Sequence, residues 1–181
     1  MKSFALIGLF IASAASYSVG PPDFVCDDPK LQPKHDGNDF QTSESPFELT
    51  VVPGSNFYSL QIDAVKNVPF KGYILQAQYA GGPNDGKTVG SFMVEFVADT
   101  NEEKHKTFNC QSEKTIGNTI SHNAAGEHEH VTAIWFPPKN LPARTNIAFK
   151  ATVVKVKPEF WSLEQTLTVV SFYLYSFYTY F

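Results

Sequence analysis

The sequence predicts an all-β fold, a single antiparallel β-sandwich, and three observations predict it. Apolar and polar side chains alternate through the middle of the chain, as in Tyr58-Ser59-Leu60-Gln61-Ile62, the period of a strand with one face buried. Turn chemistry breaks these runs often, with 12 Pro and 11 Gly in 181 residues, as many short strands require. Residue choice suits pleated surfaces, since 16 Phe and 8 Tyr bring the aromatic share to 14%. A hydrophobic share of 43% supplies one core and excludes disorder for most of the chain.

Residues 1–18 read as a secretory signal peptide. Met1-Lys2 is a short positive start, Phe4 to Ile11 is apolar, and Ala12-Ser13-Ala14-Ala15 offers the small residues a signal peptidase needs. Cleavage is expected within Ala14–Ser18. Removing Lys2, the one charged residue of that stretch, takes the formal charge from -4 to -5. An acidic domain without a basic stripe excludes nucleic acid as a partner. Lys150, Lys155 and Lys157 read as the solvated side of a strand.

The domain is expected over 19–165. Residues 21–46 carry Pro21, Pro22, Pro29, Pro33 and Pro46 with Asp36-Gly37, which is extended-chain and turn chemistry. This segment is expected to lie across the domain, tied down by Cys26. Strands follow. Phe47 to Val52 alternates and stops at Pro53-Gly54. Phe57 to Asp63 puts Tyr58, Leu60 and Ile62 on one face. Phe70 to Tyr79 puts Tyr73, Leu75, Ala77 and Tyr79 on one face, with Gln76 and Gln78 on a face expected to be wet. A loop, Gly81 to Lys87, leads to a strand over Val89–Val97. Glu102 to Lys106 reads as a solvated turn, Thr107 to Gln111 carries Cys110, and Lys114 to Ser121 is a weak strand. Glu129 to Phe136 alternates up to Pro137-Pro138, Thr145 to Val154 buries Ile147, Phe149, Ala151 and Val153, and Pro158 to Trp161 closes the domain. Tyr58, Tyr73, Tyr79 and Trp135 read as core.

Two cysteines remain after the signal peptide, Cys26 and Cys110. An even count in an oxidising compartment reads as a disulfide. Two free buried thiols are the alternative, and a zinc site lacks the close pairing it needs. The tail, 166–181, is apolar, aromatic and uncharged, slightly short for a helical span of roughly 20 residues. It reads as an extension of unknown role, and no stable membrane span is expected.

No catalytic set assembles. Ser121 and His122 are adjacent and would point to opposite faces of a strand, a poor nucleophile and base. His128 and His130, two apart beside Glu127 and Glu129, would share a face and start a metal site only with help from His122 or His105; a solvated strand start is the preferred reading. The expectation is therefore no enzyme, no metal and no cofactor. Ligand-contacting residues stay unknown, with the Gly81–Lys87 and Asn123–His130 loops as candidates by composition.

Several strings recur in order: Cys26 with Pro33-Lys34-His35-Asp36-Gly37 and Gln41, Phe70-Lys71-Gly72-Tyr73-Ile74-Leu75-Gln76-Ala77, Cys110 before Ser121-His122-Asn123, Trp135-Phe136-Pro137-Pro138, and Phe149 to Val154 leading to Phe160-Trp161. Over Cys26 to Trp161 the chain thereby resembles the reeler (reelin-type) domain, and within it the small secreted insect defense proteins. The resemblance implies an immunoglobulin-like sandwich. It also implies a secreted, extracellular innate-immunity protein that binds microbial surface components or haemocytes. An extracellular matrix or cell-adhesion module without immune role is the alternative. Partners would then be microbial cell-surface polymers or host cell-surface and matrix components. Three departures stand out: the changed motif around His122, Phe136-Pro137 after Trp135, and a tail from Thr166 that matches nothing in the family.

Overall fold

The alternating runs become strands of two facing sheets. The computed structural model describes residues 20–35, 37–93, 105–110 and 117–170; the expected signal peptide and the end of the tail lie outside them. Among the described residues, nine strands follow one short helix, α1 (Asp23–Cys26): β1 (Phe47–Pro53), β2 (Tyr58–Ala64), β3 (Gly72–Tyr79), β4 (Ser91–Met93), β5 (His105–Phe108), β6 (Thr119–His122), β7 (His130–Phe136), β8 (Thr145–Val156) and β9 (Glu159–Val169). One sheet orders β1-β2-β7-β4 and the other β5-β6-β3-β8-β9. All pairings are antiparallel.

Alternation sends one face of each sheet inward. Val51, Tyr58, Leu60, Ile62, Val131, Ala133 and Trp135 from the first sheet meet Tyr73, Leu75, Ala77, Ile147, Phe149, Ala151 and Val153 from the second. Trp135, fully buried, stacks edge-on against Phe149 at 5.2 Å between ring centroids and donates from Nε1 to the Val89 carbonyl at 2.9 Å. Tyr58, Tyr73 and Trp135 are thus core, as expected, while Tyr79 is half-buried against it. The two sheets are also tied at one edge, where the Val51 amide donates to Gln165 Oε1 at 2.9 Å.

Three expectations are corrected. Gln76 and Gln78 do not face water: β3 is buried on both faces because residues 21–35 cross the outer side of its sheet. His105 does not sit in a solvated turn; it lies on β5, buried, with Nδ1 2.9 Å from the Tyr73 hydroxyl. Pro158 to Trp161 does not close the domain, because Pro158 is in the turn that opens β9. That strand pairs with β8 as far as Val169. The strand expected over 89–97 is described only as β4, its later residues lying outside the described chain.

The segment 21–35 acts as a strap. Cys26 is bonded to Cys110, 84 positions away, with 5.3 Å between their Cα atoms. Val25 and Leu31 pack on Ile74, an outward residue of β3. Gln76 Nε2 donates to the Cys26 carbonyl at 2.7 Å, and Thr152 Oγ1 donates to the Leu31 carbonyl at 2.8 Å. Each bond satisfies a polar group that the strap would otherwise have stripped of water.

Candidate ligand groove

The strap does not cover the outer face evenly. Beside Val25 it leaves a groove of about 290 Å³ between Pro21, Pro22, Phe24 and Pro33 on one side and β3 and β8 on the other. Ile74, Val154 and Val156 face it, with Thr152. The two valines flank the one irregularity of the β8–β9 ladder. Proline shapes the far wall because its fixed φ keeps the strap extended and its missing N–H leaves no donor to satisfy.

The rim is basic. Lys34, Lys71, Lys157, His35 and His122 all line the groove, and no carboxylate does so among the described residues. Lys34 Nζ stands 5.4 Å from the centre of the Phe24 ring, a cation–π contact. His35 Nδ1 lies 2.8 Å from the Lys157 carbonyl, which fixes the strap to the end of β8. Lys71 has Glu127 at 3.8 Å, with both side chains more than half exposed. His122 rests on Gly72: a Cβ at that position would come within 2.9 Å of the His122 ring, so glycine is needed for the imidazole to reach the groove.

The structure reorders the residues singled out from sequence. Ser121 and His122 are brought closer than strand geometry suggested, with Ser121 Oγ 3.2 Å from His122 Nδ1. Ser121 Oγ, however, donates to the Tyr73 carbonyl and is fully buried. His122 Nδ1 accepts from the Tyr73 amide at 3.2 Å. Both groups serve to hold β6 against β3. His128 and His130 do not share a face: His128 forms a bridge with Phe70 and is buried beside the His105 ring, 5.2 Å away. A bend at Glu129 then turns His130 outward, where it pairs with Asp63. Of the four histidines, His105, His122 and His128 pack around the Tyr73 ring, while His130 stands apart from them.

The two candidate loops lie at opposite ends of β3, about 26 Å apart by strand rise, and cannot form one surface. Gly81–Lys87 closes on itself, with Asp85 Oδ1 accepting from the Gly81 amide at 2.6 Å. Asn123–His130 follows the groove residue His122 and meets the rim where Glu127 pairs with Lys71. Sequence reasoning missed Lys34, His35 and Lys71 as rim residues and read Lys157 as solvated. The signal was thin: a proline cluster near a cysteine and the Phe70-Lys71-Gly72-Tyr73 string.

The fold and groove define a class, a disulfide-tied antiparallel β-sandwich with a strap across one sheet. The chain belongs to the Reeler domain family, whose model matches residues 25–172. The same fold is seen in the crystal structure of the Reelin-N domain of F-spondin, at a TM-score of 0.52 and 17% identity over 72% of this chain and 91% of that one. The human F-spondin reeler domain gives 0.53 and 16%, over 72% and 93%. No curated protein sequence matches the chain. No helix among the described residues is long and apolar enough to cross a membrane.

Proposed function

We propose that the protein is a secreted recognition protein of innate defense, which holds microbial surface components or haemocytes without turning anything over. The observation that carries the binding half of this reading is the groove: concave, apolar in its floor, basic at its rim and framed by a covalently tied strap. A site held in shape before its ligand arrives loses little ordering entropy on binding. Binding rather than catalysis is favoured because the one serine–histidine contact at the groove is spent on the Tyr73 backbone. The defense role itself rests on the resemblance to small secreted insect proteins.

A pull-down tests the proposal. Purified protein is mixed with bacterial cell-wall polymers, fungal glucan, haemocytes and host matrix. Retention by microbial polymers or haemocytes, weakened by Lys34→Glu with Lys71→Glu, is expected. Retention by host matrix alone would replace the defense reading with an adhesion module of no immune role.

A further inference from the structure

The lining of the groove narrows its occupant. A neutral apolar ligand would use the floor but not the cations of the rim. A polymeric anion would use the cations and leave the floor dry and empty. Only a molecule with both an apolar body and an anionic end uses all of it. We propose that the groove binds one free single-chain anionic lipid, its acyl chain against Ile74, Val154 and Val156 and its carboxylate or phosphate between Lys34 and Lys71.

Charge complementarity supports the anionic end. The whole chain carries a formal charge of -4, yet the sixteen described residues of the groove include three lysines and no acid. Glu127 stands 3.8 Å from Lys71, with both side chains more than half exposed. Such a pair is screened and weak, so a ligand anion can take its place. A phosphate or carboxylate meeting two ammonium groups beside a low-dielectric floor gains far more than in open water.

Volume limits the apolar end. About 290 Å³ lies just below the range of small-ligand pockets, which run from about 300 to 1,000 Å³. That is room for one chain, not for the two of a bilayer lipid. The strap also walls the groove with Pro21, Pro22 and Pro33, so a flat membrane surface has no route to the floor. The occupant is thus a free lipid acid or monophosphate.

This inference rests on the binding reading above for its premise that the groove recognises rather than reacts. Its test is separate. The secreted chain is titrated with hexyl, octyl and decyl phosphate below their micelle concentrations, followed by calorimetry. Affinity should rise about fourfold per methylene, or about fifteenfold per pair, until the groove is full. Inorganic phosphate should not bind measurably, and decyltrimethylammonium should bind at least tenfold more weakly than decyl phosphate. Val156→Glu, at a half-buried position outside the sandwich core, should weaken decyl phosphate at least tenfold with an unchanged circular dichroism spectrum. Lys34→Gln is a second, exposed variant expected to weaken it several-fold. Equal affinity for the cationic and anionic probes, no dependence on chain length, or association only with anionic vesicles would overturn the proposal. A protein that captures bacterial polymers but ignores decyl phosphate loses the lipid site alone. One that takes decyl phosphate but no microbial or haemocyte surface loses the defense reading alone.

Discussion

Gln61 and Gln76 occupy equivalent positions, each a polar residue facing outward from an alternating strand in the middle of a sheet. Gln61 on β2 is half-exposed, beside Thr132 of β7. Gln76 on β3 is fully buried and bonded to the Cys26 carbonyl. The difference between the two outer faces of the sandwich is the strap. On the four-stranded sheet the alternation means what it does in any sheet with one wet side. On the five-stranded sheet the same alternation marks a second, partly polar interface, and its unfilled portion is the groove. A polar residue in a periodic strand therefore reports only that it points away from the main core, and not that it meets water.

The comparison breaks most severely if the strap is released. Cys26→Ser with Cys110→Ser should cost about 4.5 kcal/mol, the loop-closure entropy for a separation of 84. Urea denaturation with linear extrapolation measures it, and hydrogen exchange should show Gln76 and Thr152 losing protection before Gln61 and Thr132 change. A loss under about 1 kcal/mol would mean that packing of Val25 and Leu31 on Ile74 alone keeps the face covered.

Next in size is Gln76→Ala. It strands the buried Cys26 carbonyl and also removes the Oε1 acceptor of Gln78 Nε2, 2.9 Å away. A cost of about 1–3 kcal/mol is expected. A cost near zero would show that water reaches β3 beneath the strap.

A conditional effect comes from the inner side of the four-stranded sheet. Desolvation pushes the Tyr58 phenol above its usual 10.0, offset in part by a hydrogen bond with the Val170 backbone. Its folded value is raised, so the unfolded chain gives up this proton first. Stability contributed by Tyr58 is then complete below about pH 10 and falls as pH rises beyond it. Tyr58→Phe should flatten that alkaline decline in a pH series of denaturation curves. An unchanged slope would assign the decline to other groups. The smallest effect belongs to the wet face, where Gln61→Ala should change stability by no more than about 0.5 kcal/mol. A loss as large as that of Gln76→Ala would erase the contrast between the faces.

The strands were legible wherever one face alone is buried. Tyr58, Leu60 and Ile62 on β2 and Val131, Ala133 and Trp135 on β7 declare their face through the neighbours two residues away. His105 was not legible, because charged neighbours such as Lys104 and Lys106 suggest a turn, while burial of the imidazole depends on Tyr73, 32 positions distant. Nor was the end of β9: Thr166 to Val169 look like the start of an odd tail until they pair with Thr145 to Ala148. Of the groove, the sequence displayed the prolines and the lysines but not their convergence. Lys34 and Lys71 are far apart along the chain, and Lys157 is farther still.

The chain alone determined the strand period, the residues of the main core and the pair of cysteines available for a cross-link, because each of these follows from local chemistry or from a count. Tertiary structure alone decided which polar face would be covered and where a basic, apolar groove would open. Those outcomes depend on contacts such as Thr152 with Leu31, 121 positions apart. No window of local sequence contains both partners of such a contact, and its energy exists only once the sheet is there to receive the strap.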